Sequence, residues 1–194
     1  MTERIANRIT RELVENQMIQ PEAQEFYQYS LLVLIEKIIG VTAILLLALW
    51  FRLLPQTIVF IFFFFRIRNR SGGFHLNTFG GCFVGTLAVY VIYALWLYPL
   101  LLDHPMVNYG MLGIAAVLIL VLGAVNHPNM EWSKEEFLVS RRMARFTVLL
   151  ELLCIGVFVF LQGDESYILF MSYGVILSAI LLVLGKIIKQ EVTS

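Results

Sequence analysis

Long runs of apolar residues occupy most of this chain. Six of them follow a polar N-terminal stretch, at about 31–51, 53–65, 79–102, 106–125, 146–161 and 167–188. A helix that crosses the hydrocarbon core of a bilayer needs about 20 apolar residues, because each residue adds ~1.5 Å to its length. The pattern therefore predicts an all-α fold, a polytopic transmembrane helical bundle with about six membrane segments.

The second run differs from the others in length. It covers only about 13 residues, 53–65, and as a helix it is roughly 20 Å long, shorter than the bilayer core. Two interpretations stay open. Either the arginines that follow the run snorkel to the interface and allow it to cross, or the run forms half of a re-entrant hairpin.

The polar stretch 1–25 has a helical pattern of its own. Apolar residues recur there among charged ones at near-helical spacing: Ile5, Ile9, Leu13 and Ile19. This spacing predicts an amphipathic helix that ends near Pro21. We favour a helix packed on the cytoplasmic face of the protein itself over a free anchor on the membrane surface.

Composition supports a membrane protein. Of 194 residues, 59% are hydrophobic and 14% are charged, whereas soluble domains average about 45–50% and 25%. We expect a single integral membrane domain, 1–194, with membrane segments over 31–188. The net charge is zero, so no nucleic-acid partner is expected, and no removable signal peptide is evident at the start.

The loop charges predict an orientation. Lys and Arg cluster near the N-terminus, after the second run, after the fourth run and near the C-terminus, whereas the connections 103–105 and 163–166 contain neither. With six segments, all the basic regions fall on one side. Cytoplasmic loops carry the excess of basic residues in membrane proteins, so both termini and the loop after the second run are expected in the cytoplasm.

That loop, 66–82, concentrates candidate chemistry. It contains three arginines, two Gly-Gly pairs, His75 and Cys82. A cysteine acts as a nucleophile in its thiolate form, and a neighbouring imidazole is a common activator. On one continuous helix the two residues would lie about 10.5 Å apart along the axis, so a catalytic pair requires a break between them.

The sequence offers such a break. Gly72-Gly73 allows a sharp turn, and Thr78 is a suitable N-cap for a helix that begins at Phe79. Cys82 then lies in or near the first turn, where the helix dipole favours negative charge. Unpaired backbone amides around Gly80–Cys82, with those of Gly81 and Cys82 as the candidates, would stabilise an oxyanion.

A structural role is the alternative for these residues, since a cysteine in an apolar helix is commonly a small packing residue. We interpret Cys154, within an apolar run, in that way. Glu151 either pairs with the basic group at 141–145 or orients a substrate. No cluster has the spacing of metal ligands, and neither a metal nor another cofactor is expected.

This loop resembles the corresponding loop of the accessory gene regulator protein B (AgrB) family, membrane cysteine endopeptidases of bacterial peptide quorum sensing. The shared features are Arg68, Gly73, His75 and, seven residues later, Cys82, directly after a short apolar segment. The segment 124–129 also resembles a family loop that contains proline and asparagine. The chain departs from the family at Ser30, where Gly is frequent, and at 130–132.

The resemblance implies a catalytic dyad of Cys82 and His75 that cleaves an AgrD-like propeptide on its C-terminal side and promotes thiolactone or lactone closure. It implies substrate contacts by Arg68, Gly73 and Arg70, a location in the bacterial cell membrane, and a homodimer. Two alternatives remain: a small membrane transporter or scaffold without covalent chemistry, and a peptidase that releases a linear product.

Overall fold

The computed structural model of the protein describes residues 2–74, 76, 78–125 and 133–188. Within these ranges the regular structure is helical, in the order α1 (Thr2–Glu15), a 3-10 turn (Pro21–Ala23), α2 (Gln24–Trp50), α3 (Leu54–Ser71), α4 (Phe79–Ile92), a π-helical turn (Tyr93–Leu97), α5 (Tyr98–Asp103), α6 (Pro105–Leu122), α7 (Lys134–Phe160) and α8 (Glu165–Ile187). The predicted all-α helical bundle is confirmed.

Among the described residues, five helical stretches are long and apolar enough to cross a membrane: Pro21–Trp50, Phe79–Asp103, Pro105–Leu122, Lys134–Phe160 and Glu165–Ile187. They correspond to five of the six predicted runs. The short second run forms α3, which does not meet this criterion. Its apolar part, 54–65, is only about 18 Å long, and its last two turns carry the arginines that lead into the candidate loop.

Helix α8 lies at the centre of the bundle. In the apolar stretch of α8, 72% of the residues are buried inside the protein, compared with 11% in the apolar stretch of Pro21–Trp50. Buried side chains form two clusters, and both α8 and α3 contribute to each of them. The first cluster joins these two helices to α6 and α7, and the second joins them to α2, α4 and α5. The candidate loop directly follows α3, so the packing of α3 on α8 determines where the loop lies.

Hydrogen bonds between helices fix their relative positions. Thr57 and Tyr90 join α3 to α4 through hydroxyl groups 2.7 Å apart. Between α6 and α8, the Asn108 amide donates to the Ser172 hydroxyl over 3.1 Å. Such bonds contribute about 0.6 kcal/mol each in membrane bundles, so they specify helix register more than they stabilise the fold.

The N-terminal helix α1 packs on α2. Ala6 and Thr10 are fully buried in this contact, and the Thr10 hydroxyl donates back to the carbonyl of Ala6 over 2.8 Å. Helix α1 ends at Glu15, several residues before the predicted end near Pro21. The short residues Ala6 and Thr10 let α1 approach α2, and the helix rests on the protein itself.

Candidate active site

The chain turns sharply where α3 ends. Ser71 is the last helical residue, and Gly72 and Gly73 follow with φ angles of +62° and +119°. L side chains rarely adopt this region of φ, which glycine enters without steric cost. The sharp turn that the sequence predicted at Gly72-Gly73 is thus present.

The buried side chain of Arg68 stabilises this turn through hydrogen bonds. Its side chain is 9% exposed, and its guanidinium donates to the carbonyl of Gly72 through Nη1 and to the carbonyl of Phe74 through Nη2, 2.6 Å away. One planar cation thereby bridges two carbonyls of the loop that follows its own helix. The prediction that Arg68 binds substrate remains untested, and in this structure two of its nitrogens bond to the protein.

Gly73 fits closely against the same guanidinium. A Cβ atom at this position would contact Nη1 of Arg68 and lie 2.8 Å from the carbonyl oxygen of Leu181. Because the Arg68 guanidinium is held by its bonds to Gly72 and Phe74 and the Leu181 atom is backbone, the residue needs both the φ angle and the small size of glycine. This steric role accounts for Gly73 without a substrate, and its predicted substrate contact also remains a prediction.

Two other parts of the bundle anchor the loop. The amide of Phe74 donates to the carbonyl of Leu181 in α8 over 2.8 Å, and the amide of Val125, just past α6, donates to the carbonyl of Ser71 over 2.8 Å. Helices α6 and α8 therefore fix the backbone on both sides of the Gly72-Gly73 turn. Neither contact could be predicted from local sequence, because each joins residues far apart along the chain.

Cys82 lies in the first turn of α4, as predicted. Thr78 is the N-cap residue, with extended backbone angles, and its hydroxyl accepts a hydrogen bond from the amide of Gly81 over 3.2 Å. The first intrahelical bond runs from the Cys82 amide to the carbonyl of Thr78 over 3.0 Å. The Cys82 side chain is half-buried.

These two bonds correct the prediction of free amides at Gly81 and Cys82. Both N–H groups already donate to Thr78, one to its hydroxyl and one to its carbonyl. The prediction extended the unpaired amides too far into the helix, because it left out the two acceptors that the N-cap residue supplies. Helix geometry leaves the amides of Phe79 and Gly80, the first two helical residues, without an intrahelical acceptor.

Arg68 and Cys82 belong to one electrostatic environment. Burial lowers the pKa of the Arg68 guanidinium to about 10, and the charge of Cys82 acts in the opposite direction, raising it. A cation in the last turn of α3 therefore lies within electrostatic range of Cys82. Of the predicted site residues, Gly73 lies against the Arg68 guanidinium, and Cys82 lies within electrostatic range of Arg68.

His75 and Asn77 lie outside the described residues, so the predicted Cys82–His75 contact stays a prediction. The residues on either side of His75 are described. Phe74 is bonded to Leu181 and Arg68. The Leu76 side chain packs at the start of α4, where its Cδ1 would lie 3.6 Å from a Cβ on Gly81 and 3.5 Å from one on Gly85.

The remaining polar candidates are spread around the end of α3. Arg70 is exposed, whereas Arg66 is partly covered and lies 5.2 Å from the centre of the Phe62 ring. Glu151 on α7 is 1% exposed, and within the described part of the chain neither of its carboxylate oxygens has a hydrogen-bond partner. The described structure therefore does not show the predicted pairing of Glu151 with the 141–145 group. The cation within electrostatic range of Glu151 is Arg66.

A model of the accessory gene regulator B family matches residues 3–182, nearly the whole chain. The chain therefore belongs to this family and is a membrane protein of the accessory gene regulator system, as the resemblance of the loop predicted. No curated protein and no solved structure gives a significant match.

Proposed function

We propose that this member of the accessory gene regulator B family is a membrane cysteine endopeptidase that cleaves a short quorum-sensing propeptide and promotes its ring closure. The observation that carries the proposal is the placement of Cys82. It lies in the first turn of a helix, half-buried and within electrostatic range of the Arg68 guanidinium. A helix start and a nearby guanidinium are typical surroundings of nucleophilic cysteines in proteins.

His75 is the proposed base. The loop that leads to it is fixed to Arg68 and Leu181 at Phe74, and Leu76 packs at the start of α4. A tethered loop of this kind supports the dyad, because an imidazole must stay within about 3 Å of the sulfur to take its proton.

The reaction has two steps. The thiolate of Cys82 attacks the scissile carbonyl, a C–S bond forms, the C–N bond breaks, and protonated His75 delivers its proton to the leaving amine. This gives a thioester between Cys82 and the N-terminal part of the propeptide. A thiol or hydroxyl within that part then gives its proton to His75 and attacks the thioester, which closes the ring and releases the thiolate of Cys82.

The tetrahedral intermediates of both steps carry an oxyanion that needs hydrogen-bond donors. We assign this role to the amides of Phe79 and Gly80, since those of Gly81 and Cys82 donate to Thr78. The two assigned amides open the same helical turn that carries the nucleophile. The oxyanion would thus be stabilised by the positive end of the α4 dipole.

Family substrates carry an acidic C-terminal part, and arginines bind carboxylates through charge-assisted hydrogen bonds. Arg70 is exposed and Arg66 is partly so, which makes these two residues the better candidates for that contact. Arg68 is buried against its own loop. We therefore assign Arg68 to loop positioning and thiolate stabilisation, and Arg66 and Arg70 to substrate binding.

We further propose that the protein resides in the bacterial cell membrane with both termini and the 66–82 loop in the cytoplasm. The arginines in the last two turns of α3 support this orientation through the positive-inside rule. An AgrD-like propeptide is the proposed partner, and a homodimer is the proposed assembly. The bilayer would concentrate an amphipathic substrate and shield the thioester from water, which competes with ring closure.

The test is co-expression with short candidate propeptides, followed by intact mass measurement of the products. The proposal predicts a fragment whose mass lacks the added water of hydrolysis, and no fragment with Cys82→Ala. A fragment that includes the added water would instead identify a linear-product peptidase. Intact propeptide with every candidate, together with equal alkylation rates of Cys82 with and without His75, would support the transporter or scaffold alternative.

A further inference from the structure

We propose that Gly185, in the last turn of α8, is a positioning residue for the Cys82–His75 dyad, because its lack of a side chain allows the 72–74 backbone to lie directly against α8. This inference rests on the proposed function. A Cβ atom on Gly185 would lie 2.9 Å from the amide nitrogen of Phe74 and 3.0 Å from the carbonyl carbon of Gly73. Gly185 itself is buried.

The atoms that this Cβ would meet belong to the backbone and are held in place. Phe74 donates to the carbonyl of Leu181, one turn before Gly185, and its own carbonyl accepts from Arg68. Gly73 is enclosed by Leu181 and the guanidinium. The loop therefore cannot move away from a Cβ on Gly185 without breaking the Phe74–Leu181 bond or shifting the carbonyls that Arg68 bridges.

The conformation of Gly185 gives no other reason for a glycine. It has an ordinary helical backbone, in which alanine is favoured over glycine by about 1 kcal/mol. Gly185→Ala would stabilise an isolated α8, so any loss it causes must come from the contact with Gly73 and Phe74. The residue after Phe74 is His75, and a misplacement of about 1 Å can lower a rate by about 100-fold.

Helix α8 offers a matched control in Gly174. A Cβ atom there would lie 2.9 Å from Phe63 Cβ and 2.9 Å from the amide nitrogen of Phe64 in α3. The shortest distance from the added Cβ atom is thus the same as at Gly185. Gly174, however, lies about 16 Å from Gly185 along the helix axis, and its Cβ atom would meet no residue of the 72–74 loop. Gly174→Ala should disturb the packing of α3 on α8 and leave the dyad in place.

The experiment is a double-mutant cycle on the alkylation rate of Cys82 in the full-length protein. A Cys154→Ser background leaves Cys82 as the single thiol, since the chain has two cysteines. A water-soluble haloacetamide is the probe. In this background His75→Ala should slow alkylation at neutral pH by about tenfold or more, because imidazole favours the thiolate.

Gly185→Ala should slow alkylation by a similar factor, and adding His75→Ala to it should have little further effect, a coupling expected of residues that act through each other. Gly174→Ala should lower the thermal midpoint at least as much as Gly185→Ala, while the full effect of His75→Ala persists. A Gly185→Ala protein in which His75→Ala still slows alkylation by the wild-type factor would overturn the positioning role alone. Equal rates for wild type and His75→Ala would overturn the dyad, and the positioning role with it.

Discussion

The Nη2 atom of Arg68 lies 2.6 Å from the carbonyl oxygen of Phe74, so an arginine in the last turn of α3 holds the residue directly before His75. The same guanidinium donates to the carbonyl of Gly72 and lies within electrostatic range of Cys82. Arg68 therefore holds the backbone that leads to the proposed base, His75, and lies near the proposed nucleophile, Cys82. A substrate-binding arginine and a loop-holding arginine predict different kinetic defects.

Arg68→Lys distinguishes these two roles. Lysine keeps the positive charge but is a point charge, and it lacks the planar fork that bridges two carbonyls. We expect kcat for propeptide cleavage to fall about 10- to 100-fold because the loop is no longer fixed, with a small change in KM. A raised KM at unchanged kcat would contradict the loop-holding role and support substrate binding by Arg68. Arg70→Lys is the control and should keep kcat.

The nucleophile assignment has a direct test. Cys82→Ala should lower propeptide cleavage by more than about 10³-fold, since it removes the attacking atom, while membrane insertion and the thermal midpoint stay near those of the wild type. Intact mass measurement of the propeptide after co-expression reports the loss. Cys154→Ala is the control, because Cys154 is exposed on α7, and it should process the propeptide normally. Processing by the Cys82→Ala variant would exclude this mechanism.

Much of this site could be predicted from local sequence. The short apolar run, the N-cap at Thr78, the start of α4 at Phe79 and the turn at Gly72-Gly73 each depend on neighbouring residues, and helix capping and glycine conformation act over a few positions. Each is present in the structure. The residues that resemble the family lie in the same stretch, 66–82.

The contacts that hold the loop in place could not be predicted in this way. Leu181 and Gly185 lie more than 100 residues after Phe74, and no periodicity within α8 distinguishes them from other core positions. The burial of the Arg68 side chain could not be predicted from the sequence either, because a basic residue at the end of an apolar segment ordinarily faces lipid headgroups. These features depend on how α3 and α8 cross.

The N-cap residue offers a third prediction. Thr78→Val removes the hydroxyl that accepts from Gly81 while it preserves the shape of the side chain. Loss of such a cap destabilises the helix start by about 1 kcal/mol, so the first turn of α4 should fray. Alkylation of Cys82 and cleavage should both slow several-fold. Thr78→Ser keeps the hydroxyl and should retain wild-type rates, and a Thr78→Ser protein as slow as Thr78→Val would contradict the capping role.

Gly73 provides a fourth prediction, which separates steric from substrate roles. Gly73→Ala places a methyl group against Arg68 and Leu181 at a φ angle of +119°. We expect cleavage to be lost and the thermal midpoint to fall even without substrate, by the equivalent of about 1–3 kcal/mol. Gly113→Ala on α6 is the control, since a Cβ atom there meets no atom within 4 Å, and it should leave both quantities unchanged or slightly raise the midpoint. A Gly73→Ala protein of wild-type stability with a raised KM would favour the substrate contact.

Glu151 is a buried carboxylate with no hydrogen-bond partner within the described residues, and burial without partners opposes the charged form. Glu151→Gln keeps the shape and removes the ionisable group, so the protein should be at least as stable as the wild type. If Glu151 only fills space beside Arg66, propeptide cleavage should be unchanged within about twofold. A large loss of kcat in a fully stable Glu151→Gln protein would instead assign the carboxylate to substrate orientation, the role that the sequence left open. Measuring the thermal midpoint and kcat on the same preparation separates these outcomes, because a packing defect lowers both and an orienting defect lowers only kcat.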